Sequence, residues 1–81
     1  MKYIATFYSH FGAIRFKKQC ETQGYEAKLM PVPRLLSSSC GTCVSFLCDE
    51  IAAESMVSEE LEQIVRCADE GYEEVFRAKD S

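Results

Sequence analysis

The stretch Ser58-Glu59-Glu60-Leu61-Glu62-Gln63-Ile64-Val65-Arg66-Cys67-Ala68-Asp69-Glu70-Gly71 decides the fold. Leu61, Ile64, Val65 and Ala68 fall at i, i+3, i+4 and i+7, the spacing that lines one face of a helix. Ser58 stands where an N-cap would sit, and Glu59 and Glu60 suit the positive end of a helix dipole. Gly71 supplies the stop, because glycine ends helices readily. The spacing predicts a helix here.

Working outward, residues 43–48 (Cys43-Val44-Ser45-Phe46-Leu47-Cys48) alternate and are rich in strand formers, so they predict a strand. Residues 49–57 are helix-friendly but short, and are taken as a connection with about one turn. On the other side of the deciding stretch, residues 75–78 predict a short final strand and residues 79–81 should fray.

In the first half, residues 3–8 carry the aromatic and β-branched composition of a strand. Ser9 is a suitable N-cap for a helix over residues 10–23, with Ala13, Phe16 and Cys20 on its apolar side and Gly24 as its stop. Residues 25–30 predict a second strand. Pro31 and Pro33 cannot donate to a ladder, so they end that strand or place it at an edge.

The order is then β-α-β-β-α-β. It predicts a ferredoxin-like α+β sandwich: a four-stranded antiparallel sheet with two helices on one face. Cys20-Glu21-Thr22-Gln23-Gly24-Tyr25-Glu26 and Cys67-Ala68-Asp69-Glu70-Gly71-Tyr72-Glu73 share Cys-x-x-x-Gly-Tyr-Glu, an echo that two similar halves would produce. Such a topology gathers Ser9 and His10, the connection between strands two and three, and Gly71-Tyr72 at one end of the sheet.

The chain has 81 residues, which suits a single domain over 1–81 with a small core. Its net charge of −4 and scattered lysines and arginines argue against nucleic acid as a partner. No apolar run approaches the ~18 residues that span a bilayer. Met1-Lys2-Tyr3-Ile4-Ala5-Thr6 enters a strand pattern without a secretory h-region, so a cytoplasmic protein is expected. Five cysteines is an odd number for a secreted disulfide framework. In a reducing compartment they are core filler, metal ligands or reactive thiols.

Cys20, Cys67 and Cys48 sit in apolar patterns, where a cysteine behaves as a small hydrophobe. Cys40 and Cys43 differ, because they flank Gly41-Thr42 after Ser37-Ser38-Ser39. Three chemistries fit this pair. A metal site would need two more ligands, from Cys48, His10 or another subunit, and neither a second Cys-x-x-Cys nor paired histidines exist. A thioredoxin-type pair normally opens a helix, whereas the residues after Cys43 are strand-like. A single nucleophilic Cys40 needs a cation and accessible amides to favour its thiolate. Arg34 is the candidate cation, and Ser38, Ser39 and Gly41 offer hydroxyls and backbone N–H groups. Cys43 is then a bystander or a resolving thiol. His10 is a first-turn residue that would serve as general base only if it reached Cys40. Neither a metal nor a cofactor is called for.

Phe7-x-Ser9 with Ala13 ahead of a helix, then Met30-Pro31-Val32-Pro33-Arg34, then Ser38-Ser39-Cys40-Gly41 and a strand, resemble the selenium/sulfur carrier-like family of small bacterial proteins. The resemblance runs from Tyr3 to about Ala78. It implies a carrier on which Cys40 bears persulfide or selenopersulfide, with a cysteine desulfurase-like donor and a sulfur or selenium acceptor protein as partners. Cys43 is not associated with the family's core motif, and a second thiol three residues away could convert a persulfide to a disulfide. Two other functions compete: a thiol–disulfide redox or redox-sensing module using Cys40 and Cys43, and a small protein-interaction domain. A bare sheet face also makes a homodimer a reasonable expectation.

Overall fold

Strand β1 (Lys2–Phe7) is buried on both faces from Tyr3 onward, and the fold is assembled on both of its edges. The computed structural model describes residues 1–36, 40–49 and 58–78. Along the chain, β1 is followed by α1 (His10–Thr22), β2 (Glu26–Pro31), β3 (Thr42–Leu47), β4 (Leu61–Ala68) and β5 (Gly71–Arg77). The five strands form one antiparallel sheet in the order β2-β3-β1-β4-β5. Helix α1 packs across β2, β3 and β1 on one face.

The first half follows its sequence pattern. Ser9 adopts extended backbone at the N-cap, and its Oγ accepts from the Gly12 N–H at 3.2 Å. Gly12, Ala13, Phe16 and Cys20 form the buried stripe of α1. They meet Tyr3, Ala5 and Phe7 of β1 and Val44 and Phe46 of β3 in one cluster. Three ring contacts organise it: Tyr3 on Phe46, Phe46 on Phe16, and Phe16 on Phe7, at centroid separations of 5.5, 5.2 and 5.1 Å. Pro31 is the last residue of β2, an edge strand, opposite Thr42.

The second half corrects the expected order. Residues 61–68 are a strand, so the described residues hold one helix and five strands instead of two helices and four strands. The reason lies in how β4 is paired. It is bonded on both sides, to β1 and to β5, and is therefore covered by neighbours as an inner strand is. Phe7 pairs with Leu61 and Thr6 with Gln63, so Glu62 is an extra residue in the ladder. That bulge returns Leu61 and Ile64, three residues apart, to the same helix-facing cluster. Val65 points to the opposite face and is buried there with Ile4 and Cys43. A bulge and two-sided burial thus imitate the i, i+3, i+4 spacing of a helix. Ile64 and Val65 are β-branched, which favours the strand.

The last strand also differs from expectation. It covers Gly71–Arg77 and is joined to β4 by the tight turn at Asp69 and Glu70. The Cys-x-x-x-Gly-Tyr-Glu echo marks a helix end in one place and this hairpin in the other, so it reflects no repeat. The expected connection over 49–57 lies outside the described residues, apart from Asp49. Its two ends are known: Leu47 pairs with Lys2, and Leu61 pairs with Phe7, at opposite ends of β1.

The start of β4 is tied to the start of α1. Tyr8 N–H donates to the Glu60 carbonyl at 2.9 Å, Ser9 Oγ–H donates to Glu60 Oε2 at 3.3 Å, and Arg15 Nη1 pairs with Glu60 Oε1 at 2.9 Å. Gly12 permits this approach. A Cβ there would lie 2.6 Å from Glu60 Cβ and 2.7 Å from Glu60 Oε2. Gly12→Ala gains about 1 kcal/mol of helix propensity. The overlap with Glu60 costs about 1–3 kcal/mol, because Cβ is close to the backbone and cannot swing away. The net expectation is a lowered urea midpoint, and a raised one would disprove the close packing.

Candidate functional site

The connection between β2 and β3 leaves the sheet at the same end as Ser9 and His10. Past the Pro31–Thr42 pair the hairpin continues for one more bond, from Val32 N–H to the Gly41 carbonyl at 3.1 Å. Gly41 has φ of +74, a left-handed conformation that a side chain would strain. A turn then brings Leu36 N–H to the Pro33 carbonyl at 3.0 Å. Val32 and Leu36 come to rest on the sheet face opposite α1, against Ile4, Cys43 and Val65. The prolines therefore shape a loop that partly covers the face expected to be bare.

The two cysteines of this loop have different surroundings. Cys40 is partly buried and packs against the helix-side cluster, and its Sγ–H donates to the Thr42 carbonyl at 3.4 Å. Cys43 is fully buried in the opposite cluster, with Sγ 3.7 Å from the Pro31 carbonyl. All five cysteines are free thiols. Cys20 and Cys48 are buried in the helix-side core. Cys67 is half-buried on β4 opposite Tyr72, towards the far end of the sheet.

Burial, and then the adjacent Cys40, push the Cys43 thiol up to about 11. Burial, followed by Cys48 and Glu21, pushes Cys20 up to about 11 as well. Cys48 is raised too, chiefly by burial. These groups bind protons more tightly folded than unfolded. Their contribution to stability is complete below the ordinary thiol value of 9.0 and disappears as pH rises from there towards 11. In urea titrations with a reductant present, the midpoint should fall between about pH 9 and 11, and fall less in Cys43→Ala. An equal fall in both proteins would contradict the burial of Cys43.

The other expected site residues are distributed unevenly. Arg34 is exposed in the turn after Pro33 and forms no ion pair among the described residues. His10 is exposed at the first position of α1, and Ser9 is engaged with Gly12 and Glu60. Ser38 and Ser39 lie outside the described residues. Gly71 and Tyr72 are at the opposite end of the sheet, because β4 carries the chain away from the Cys40 loop instead of a helix bringing it back. The part that Val32 and Leu36 play in covering Cys43 was not read from the sequence. Their apolar character beside two prolines was the available signal.

Three large apolar side chains are exposed in segments at the Cys40 end: Tyr8 (42 %), Phe11 (75 %) and Leu35 (79 %). A cavity of about 730 Å³ lies at the other end, lined by residues including Lys2, Tyr25, Ser45 and Leu47, and it contains no thiol. Among the described residues no group of three or more His, Cys, Asp or Glu converges as a metal site. No helix among them is long and apolar enough to cross a membrane.

Among curated proteins and among solved structures, none matches the chain. A family model described as "Putative Se/S carrier protein-like" matches residues 2–75, from the first residue of β1 through the Cys40 loop and into β5, and the chain belongs to that family.

Proposed function

We propose that this protein carries sulfane sulfur, or selenium in its place, as a persulfide or selenopersulfide on Cys40 in the cytoplasm. The observation that carries the proposal is the contrast among the thiols. Cys40 is partly exposed on a loop, while Cys20, Cys43 and Cys48 are buried. Membership of the carrier-like family supports the same assignment. The chemistry asks little of the fold. Cys40, as thiolate, attacks the terminal sulfur of a donor persulfide. The donor S–S bond breaks, the donor thiol leaves as thiolate, and the sulfane atom is now bonded to Cys40 Sγ. A desulfurase-like donor and an acceptor protein are the partners this requires, and the exposed Tyr8, Phe11 and Leu35 offer apolar surface for docking them.

The test is incubation with a cysteine desulfurase and cysteine, followed by peptide mass mapping without reductant. The mass of one sulfur atom should appear on the Cys40 peptide. Equal labelling of Cys67, the other half-exposed thiol, would count heavily against Cys40 as the carrier position.

A further inference from the structure

Cys40 and Cys43 stand three residues apart, a spacing that invites one thiol to resolve whatever is bound to the other. Their placement opposes it. Gly41 turns the backbone between them, and strand alternation sends Cys43 and Val44 to opposite faces of β3. Cys40 packs with the helix-side residues, and Cys43 packs with Ile4 and Val65 on the other side. Met30, Val32 and Leu36 pack against that second cluster. The side chain of Cys43 is fully buried there.

We infer that the sheet and the Val32–Leu36 segment wall Cys43 off from cargo on Cys40, so that sulfur held there leaves only to a thiol- or selenol-bearing acceptor presented from outside. The identity of the cargo rests on the carrier reading. The separation itself applies to any group joined to Cys40 through sulfur.

Two routes are distinguished. In the blocked route, Cys43 thiolate attacks Cys40 Sγ, a Cys40–Cys43 disulfide forms, and the terminal sulfur departs as HS⁻. The two cysteines are oxidised and the sulfane atom is reduced. In the open route, an external thiolate attacks the terminal sulfur instead. The bond to Sγ breaks, Cys40 leaves as thiolate and takes up a proton, and the sulfane atom passes on at the same oxidation level. Protonation reinforces the wall. Burial raises the Cys43 thiol and so lowers its thiolate fraction at neutral pH.

The experiment uses the full chain and dithiobis(nitrobenzoate), which forms a mixed disulfide with an accessible thiol and releases a coloured thiolate. Peptide mapping should find the adduct on Cys40, persisting in wild type and Cys43→Ala with half-lives equal within about twofold. A small added thiol should discharge both proteins at the same rate. Leu36→Ala, which thins the packing over Cys43, should discharge itself about tenfold faster than Leu36→Ala combined with Cys43→Ala. Equal rates in that pair would refute the role given to Leu36. Spontaneous discharge of wild type several times faster than Cys43→Ala, with a Cys40–Cys43 disulfide as product, would overturn the separation and leave Cys40 as a carrier thiol. Absence of any adduct on Cys40 would overturn both.

Discussion

Cys40→Ser is expected to take up no sulfur from a desulfurase, with loading at least about a hundredfold below wild type. The loss is this large because the step needs a thiolate nucleophile in neutral water. A serine hydroxyl does not ionise there, and it cannot form a persulfide. The fold should be indifferent to the change. Cys40 is only partly buried, and its one polar contact among the described residues, to the Thr42 carbonyl, is one a hydroxyl can also make. Stability should therefore stay within about 0.5 kcal/mol of wild type. Cys67→Ser is the control and should keep full loading. Persulfide recovered from Cys40→Ser at the wild-type level would move the carrier position to another thiol. Mass mapping together with a urea titration separates lost chemistry from lost structure.

The second large effect concerns the core beneath that loop. Phe46→Ala should lower stability by about 3–5 kcal/mol, the range for removing a buried aromatic ring. Phe46 is buried on β3, stacked on Tyr3 and edge-on to Phe16, so it joins β1 and α1 to the strand that begins at the Cys40 loop. A domain of this size has about 4–12 kcal/mol in total. The substitution should therefore remove roughly half of the stability or unfold the protein, read as a collapse of the urea midpoint. Val75→Ala is the contrast. Val75 is the extra residue between the Ile64–Phe76 and Val65–Glu74 pairs and is partly exposed, so its loss should cost about 0.5 kcal/mol or less. Equal losses in the two variants would contradict the helix-side cluster as the main core.

The site shows the same division between what is local and what is not. Cys40 stood out in the sequence because a serine run, a glycine and two prolines surround it, and these residues signal a loop. That Cys43 faces the other side of the sheet follows from where β3 begins. That it is sealed there follows from how Val32 and Leu36 fold back. The loop's turn chemistry was legible, whereas the direction of its return was not. Arg34 shows the limit from the other side: a cation three residues before the serine run looked suitable, yet it stands exposed in its turn without an ion pair among the described residues.

By itself the sequence determined β1, α1, β2 and β3 to within a residue or two, the Ser9 cap, the loop that carries Cys40, and the resemblance to the carrier-like family. Apart from the resemblance, each of these rests on patterns spanning some ten residues or fewer: alternation, a buried helical stripe, a capping hydroxyl, prolines at a strand end. Only the tertiary structure decided that residues 61–68 are a strand. Their pattern is set by partners some sixty residues earlier, through a bulge at Glu62 opposite Thr6 and Phe7 and through burial on both faces. A helix and a bulged inner strand can present the same apolar spacing, and the pairing of β4 with β1 chooses between them. That choice also sent Gly71 and Tyr72 to the far end of the sheet, leaving the Cys40 loop beside Ser9, His10 and the start of β4.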